Sequence, residues 1–162
     1  MITFFSKSDT DLGRTTLTEM KIELENDTPV NVYPYKIPLQ KREAAENIIQ
    51  DLLKAGVVRH SNSPYNAPCL LIRRPNSNNN SNKYRFVTDF RQLNKITRPL
   101  GAPLESIDEI LASLGQARFI STLDIKSAYH TIPIRESDRY KTAFSALHYH
   151  LEYNVCPFGN LN

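Results

Sequence analysis

The sequence predicts an α+β fold with mainly antiparallel strand pairing. Two stretches, residues 39–56 and 104–116, repeat apolar residues at helical spacing. Several shorter runs are apolar or alternate as strands do. The two kinds of element are mixed without the strict strand–helix alternation that would signal a parallel sheet. A chain of 162 residues is long enough to bury a core.

In chain order, residues 1–20 are polar and aperiodic and read as a tail or upstream linker. Pro29, Pro34 and Pro38 then force an extended course. In "LQKREAAENIIQDLLKAG" the pairs Ala44–Ala45, Ile48–Ile49 and Leu52–Leu53 recur every four residues, which predicts an amphipathic helix, with Gly56 as its C-terminal cap. "VVRH" and "APCLLIRR" read as strands separated by the turn cluster "SNSPYN". The polar run "PNSNNNSNK" joins "APCLLIRR" to "YRFVTDF" and reads as a hairpin tip. Period-two alternation in "YRFVTDF" places Arg85, Asp89 and Arg91 on one face. "LESIDEILASLGQ" predicts a second helix with Ile107, Ile110, Leu111 and Leu114 inward. "RFISTLDI" predicts a buried strand, and "TIPI", "YKTAFSA" and "HYHLEYNV" predict further strands around the turn "RESDR".

Composition excludes several classes. No apolar run approaches the ~18 residues of a membrane helix, and "MITFF" is too short for a signal-peptide core. An intracellular protein is expected. Cys69 and Cys156 are far apart, so no zinc framework or disulfide scaffold is implied. His148 and His150 share a strand face, but no third metal ligand accompanies them. "NDT" and "NNS" match the glycosylation pattern without a secretory signal to give it meaning. The net charge of +3 is unevenly spread: Lys54–Arg98 holds nine basic residues and one acid, Asp89. Such a block is either a solvated basic face or a phosphate-facing surface.

Asp124 is the chemically pointed residue. It ends an apolar run and leads into "KSAYH". A carboxylate there must be solvated, paired or metal-bound. Read alone, it is either a structural cap or salt-bridge residue or a metal ligand, and a lone carboxylate makes a poor two-metal site.

Four segments in fixed order give the chain a wider resemblance. They are "PVNVYPYKIPLQKREAAENIIQDLLKAGVVRHSNSPYNAPCLLIRRP", "KYRFVTDFRQLNKIT", "PLGAPLESIDEILASLGQARFISTLDIKSAYHTIPIRESDRYKTAF" and "YNVCPFGNLN". Over residues 20–160 the chain resembles the N-terminal part of a reverse transcriptase, most like those of gypsy-type LTR retrotransposons. The resemblance implies fingers at 21–98 and 132–157, and an incomplete palm at 99–131 and 158–162. It implies that Asp124 is the first metal-binding aspartate, supported by the Ile125 carbonyl. It makes Tyr129 the ring beneath the incoming sugar, leaving no space for a 2′-hydroxyl. Ala128 would touch the nucleotide through its backbone, and Arg85 would grip the triphosphate, with Lys83 and Arg74 beside it. Phe158 and Gly159 would complete the nucleotide pocket. Asp89, Arg91 and Asn94 would position the template.

The implied cofactor is magnesium, two ions in a complete enzyme and one incomplete site here. The implied partners are an RNA or DNA template-primer, a dNTP and the remainder of a polyprotein: rest of palm, thumb, RNase H, protease and integrase. A cytoplasmic virus-like particle or the nucleus would be the setting. One departure is plain. The family's second catalytic element is a Tyr/Phe-x-Asp-Asp hairpin, and no Asp-Asp pair occurs in these residues. The 162 residues alone are therefore expected to lack polymerase activity. A non-catalytic nucleic-acid-binding remnant of a decayed element, or an inert product, are the competing expectations.

Overall fold

The computed structural model describes residues 12–74, 84–101, 106–115, 117–125 and 127–161. Among the described residues the regular elements are α1 (Leu39–Lys54), β1 (Val58–His60), β2 (Ala67–Arg73), β3 (Tyr84–Thr88), α2 (Arg91–Ile96), α3 (Ile107–Leu114), β4 (Phe144–Ala146) and β5 (Tyr149–Tyr153). Two 3₁₀ segments, Ala128–Thr131 and Glu136–Thr142, lie between α3 and β4. The strands form one sheet in the order β1-β5-β4-β2-β3. Every pairing is antiparallel except β2 with β4. The expected α+β class, with mainly antiparallel pairing, holds.

Helix α1 follows its periodicity. Ala45 and Ile49 are fully buried, and Ala44, Ile48, Leu52 and Leu53 pack against the same core. The helix ends as its glycine requires. Gly56 sits at φ +64° and donates to Leu53 O at 3.0 Å, while Val57 donates to Leu52 O at 2.9 Å. This left-handed cap satisfies the last carbonyls at a conformation that costs glycine little.

The hairpin β2–β3 is in register from Cys69 opposite Thr88 to Arg73 opposite Tyr84. Its tip, 75–83, lies outside the described residues. Beneath the sheet, Phe144 is fully buried between Phe86 and Tyr153, with ring centroids 5.7 and 5.1 Å away. Within the segment expected as a tail, Thr15 donates to Thr131 O and Met20 to Pro133 O, both at 2.8 Å. Asp138 and Lys141 continue this attachment: Lys141 donates to Ile22 O at 2.7 Å and Asp138 accepts from Ile22 N at 3.2 Å.

The structure corrects the sequence reading at several points. Residues 118–125, expected as a buried strand, form no strand, and Phe119, Ile120, Leu123 and Ile125 are exposed. Helix α3 forms, closed by a capping box in which Ser106 Oγ accepts from Glu109 N and the Glu109 side chain accepts from Ser106 N. Its apolar face is exposed rather than inward, with Ile107 at 76% and Leu111 at 59%. "TIPI" contributes only single bridges, Pro133 to Val155 and Ile134 to Met20. The first three residues of "YKTAFSA" belong to a 3₁₀ turn. Helix α2 was not anticipated. No helix among the described residues is long and apolar enough to cross a membrane.

Buried acids, two thiols and the Tyr153 phenol among them, make the fold sensitive to alkali. Burial raises the Cys69 thiol from 9.0 to about 12 and the Cys156 thiol from 9.0 to about 11. Below pH 9 both thiols are protonated whether the chain is folded or not, so their contribution is intact. Above pH 9 the unfolded chain releases protons that the folded one retains. Stability should then fall by about 1.4 kcal/mol per pH unit for each buried thiol. Denaturant midpoints measured from pH 7 to 11 should be level at first and then decline, and Cys69→Ala should flatten the decline. A profile indifferent to Cys69→Ala would contradict this.

Candidate nucleotide and template site

The sheet brings three distant segments to one place. Arg85 is the second residue of β3, Tyr129 stands in the first 3₁₀ segment, and Phe158 follows β5. The Arg85 guanidinium carbon lies over the Phe158 ring, 4.7 Å from its centroid. Tyr129 packs edge-on against the same ring at 5.1 Å, and His130 does so at 5.5 Å. Tyr129 and Phe158 remain 53% and 40% exposed, so the cluster presents two ring surfaces and a fixed cation to solvent. A guanidinium stacked on a ring keeps its in-plane donors free for oxyanions. Burial, then the charge of Arg14, holds His130 below its ordinary pKa, so its ring is neutral at pH 7.

The turn before this cluster is tight. Ser127 occupies the left-handed region at φ +50°, ψ +46°. A non-glycine residue there costs about 1–2 kcal/mol. Asp124 and Ile125 are exposed, and no hydrogen bond or ion pair engages the Asp124 carboxylate among the described residues. Neither of the structural roles weighed for it, cap and salt bridge, is seen among the described residues. Ala128 is exposed beside Tyr129, and Arg74 is exposed at the end of β2. Lys83 lies outside the described residues.

The three residues expected to position a template, Asp89, Arg91 and Asn94, are placed as follows. Strand β3 stops at Thr88 and α2 begins at Arg91, so the single charged row expected along one strand is broken. Arg85 points to Phe158, whereas Asp89 and Arg91 bond each other in the turn. Arg91 Nε donates to Asp89 Oδ1 at 2.9 Å and its terminal nitrogen to Oδ2 at 2.6 Å. Arg91 N also donates to Asp89 Oδ1 at 3.1 Å. These donors, the Arg91 side chain first, hold the Asp89 carboxyl well below the usual carboxylate range, and Asp89 in turn raises Arg91. The pair is ionised at any physiological pH, with Arg91 79% exposed beyond it.

Asn94 reaches the other side. Its Nδ2 donates to Gly159 O at 2.8 Å, and its Oδ1 accepts from Leu161 N at 3.1 Å. Gly159 adopts φ +86°, a conformation few other residues tolerate. Asn94 thus fixes the segment that carries Phe158. Next to it, Asn160 Nδ2 is buried without a hydrogen-bond partner.

Two residues with a place in this site were not singled out from the sequence. Tyr35 donates its hydroxyl to Asp89 Oδ2 at 3.0 Å. Its position between Pro34 and Pro38 was the available signal, since prolines hold a chain in a fixed extended course. His130 had no such signal beyond adjacency to Tyr129.

The residues fit one magnesium ion in part. Magnesium takes one or two carboxylates with substrate phosphates and water. Asp124 offers an open, unpaired carboxylate and Ile125 a neighbouring carbonyl. No group of three or more His, Cys, Asp or Glu side chains suited to a metal exists among the described residues.

The chain is similar to known proteins in both sequence and fold. The sequence profile described as "Reverse transcriptase (RNA-dependent DNA polymerase)" matches residues 73–162. The chain is 40% identical over 152 residues to the retrovirus-related Pol polyprotein from transposon opus of Drosophila melanogaster, covering 93% of this chain and 15% of that polyprotein. It is 39% identical over 160 residues to the Pol polyprotein from transposon gypsy of the same fly, covering 98% of this chain and 15% of that one. Among solved structures, the foamy viral protease-reverse transcriptase in complex with double-stranded DNA superposes with a TM-score of 0.77 at 26% identity, over 95% of this chain and 26% of that one. The same enzyme with an RNA/DNA hybrid gives 0.78 at 25% identity, over 94% and 20%. The chain therefore spans about a seventh of its polyprotein relatives, and it belongs to the reverse transcriptase (RNA-dependent DNA polymerase) family.

Proposed function

We propose that the chain supplies the nucleotide-gripping fingers and the first metal ligand of an RNA-directed DNA polymerase working within a longer polyprotein. The observation that carries this is the convergence of Arg85, Tyr129 and Phe158 on one exposed surface. Fingers at 21–98 and 132–157, with palm at 99–131 and 158–162, suit that arrangement. Arg85 receives the triphosphate of a dNTP, with Arg74 and Lys83 as further phosphate partners. Tyr129 lies under the sugar, Ala128 meets the nucleotide through its backbone, and Phe158 and Gly159 close the pocket. Asp89, Arg91 and Asn94 position the template. The relatives solved with double-stranded DNA and with an RNA/DNA hybrid support a template-primer as the partner.

Asp124 and the Ile125 carbonyl would hold a magnesium ion, which would supply charge stabilisation for phosphoryl transfer. The matching acids must come from outside these residues, because they contain no Asp-Asp pair.

The test is a chimera. Residues 1–162 replace the corresponding part of the transposon opus polyprotein, to which they are 40% identical. The chimera should extend a primer on RNA with dNTPs. Tyr129→Val should raise incorporation of ribonucleotides relative to deoxyribonucleotides by about tenfold or more, since removing the ring opens space for the 2′-hydroxyl. A chimera that binds template-primer yet never extends it, or a Tyr129→Val chimera with unchanged sugar preference, would count against this assignment.

A further inference from the structure

Three segments meet at the Gly56 carbonyl, just past the end of α1. Arg14 Nη2 donates to it at 2.9 Å and Asn154 Nδ2 at 3.0 Å. Each donor leads to one ring of the site. Next to Arg14, Thr15 N donates to Thr131 O at 2.8 Å, and Thr131 closes the 3₁₀ turn that carries Tyr129. Asn154 lies on the path from β5 to Phe158, and its backbone is tied on both sides. Its N donates to Val57 O at 2.9 Å, and its O accepts from Ile134 N at 3.0 Å.

We propose that Arg14 is a positioning residue for the sugar-facing ring, clamping the turn that carries Tyr129 to the C-terminal end of α1. The inference rests on the polymerase reading above and adds to it a residue from the segment expected as a tail.

The turn needs a hold from outside. Ser127 sits in the left-handed region at φ +50°. His130 N donates to Ser127 O at 2.8 Å, Ile132 N to Tyr129 O at 3.2 Å and Thr131 Oγ1 to Ala128 O at 2.6 Å. These local bonds fix the shape of the turn but not its place on the fold. Among the described residues, Thr15 N is the only hydrogen-bond partner from another segment to reach 127–131.

Arg14 is what holds Thr15 there. The next polar anchors along the segment are the Glu19–Arg135 ion pair and Met20 N on Pro133 O, both beyond the turn. Arginine suits the task. Its guanidinium stays charged at any physiological pH, and a cation at the C-terminal end of the 16-residue α1 meets the negative end of the helix dipole.

The charge of Arg14 is also felt at the site. It acts on His130, whose ring shares Phe158 with Tyr129 and Arg85. The charged groups on this side are therefore Arg14 from the N-terminal segment and Arg85 from β3, with Arg139 facing Arg14.

The experiment uses the opus chimera and the 162-residue chain. In the chimera, Arg14→Met should raise ribonucleotide incorporation relative to deoxyribonucleotide by about threefold or more, because a ring set loosely admits the 2′-hydroxyl. Arg14→Lys keeps a cationic donor and should return most of the discrimination. In a Tyr129→Val background Arg14→Met should add nothing, since a positioning residue has no effect once the ring it positions is gone. In the 162-residue chain, NMR titration of His130, identified by the resonance lost in His130→Gln, reads the same clamp without activity. Burial and then the Arg14 charge hold that ring below its ordinary pKa, so Arg14→Met should raise it and Arg14→Lys should not. Unchanged sugar discrimination in Arg14→Met, an equal loss in both backgrounds, or a His130 titration indifferent to Arg14→Met would each overturn the positioning role. The polymerase reading would stand in those cases as long as Tyr129→Val itself changes the sugar preference. A parent chimera that extends no primer would overturn both.

Discussion

Asp124→Asn is expected to abolish primer extension by the opus chimera, lowering the rate by about 10³-fold or more. The argument starts from charge. Asp124 has no internal partner among the described residues, so its carboxylate does no structural work that asparagine would disturb. Replacing it removes one negative charge from the proposed divalent-cation site. Metal stabilisation of transferring phosphoryl groups is worth several kcal/mol, and about 4 kcal/mol corresponds to about 10³ in rate. Template-primer affinity should change little or rise slightly, because a negative charge is lost near phosphates. The fold should be untouched, and the thermal transition of Asp124→Asn should match that of the parent. Single-turnover extension with saturating dNTP reads the chemical step directly. Retention of more than a tenth of the parental rate would remove Asp124 from the metal site. For the same reason the 162-residue chain alone, offering one carboxylate and no Asp-Asp pair, should extend no primer.

How far the sequence foretold this site depends on how local each feature is. Helix α1 was legible to its last turn, because its apolar spacing and Gly56 are written in consecutive residues. The hairpin β2–β3 was legible for the same reason. Helix α2 was not, since six residues are too short for a period to show, and its start is set by Asp89 accepting from Arg91 N. Residues 118–125 failed in the opposite way. Their apolar character is real, but a strand needs partners in space, and none of the described residues pairs with them. The face of α3 shows the same gap between pattern and burial: Ile107 and Leu111 have the right spacing and nothing covering them.

Site roles divided similarly. The identities of Arg85, Tyr129 and Phe158 came from motif resemblance. That Arg85 lies on the Phe158 ring, and that Asn94 holds Gly159, are consequences of tertiary packing that spacing does not encode. The broken row at Asp89 is instructive. Period-two alternation assumed a strand through Arg91, whereas the ion pair with Arg91 terminates it.

Phe144→Ala is expected to be the most damaging core substitution. Phe144 has 0% exposure and sits on β4, the strand joining β5 to β2. Its backbone pairs with Leu151 on one side and with Ala67 on the other. Its ring meets Phe86 of β3 and Tyr153 of β5, and Tyr153 in turn meets Phe90 at 6.0 Å. Truncation removes both ring contacts and leaves a cavity among rigid aromatic neighbours that cannot collapse to fill it. The cost should be about 3–5 kcal/mol, a large share of the 5–15 kcal/mol that stabilises a typical domain. For a chain of this size that corresponds to a fall in Tm of about 6–20 °C. The consequence reaches the site by a defined route. Phe86 flanks Arg85 on β3, and β5 leads through Val155 to Phe158, so loosening β4 frees the two partners of the stacked guanidinium independently. Phe144→Leu, which keeps apolar volume, should recover more than half of the lost stability and separates cavity cost from loss of the aromatic contact. Chemical denaturation of the three chains checks this. A Phe144→Ala chain within about 1 kcal/mol of the parent would mean that the sheet is held together elsewhere.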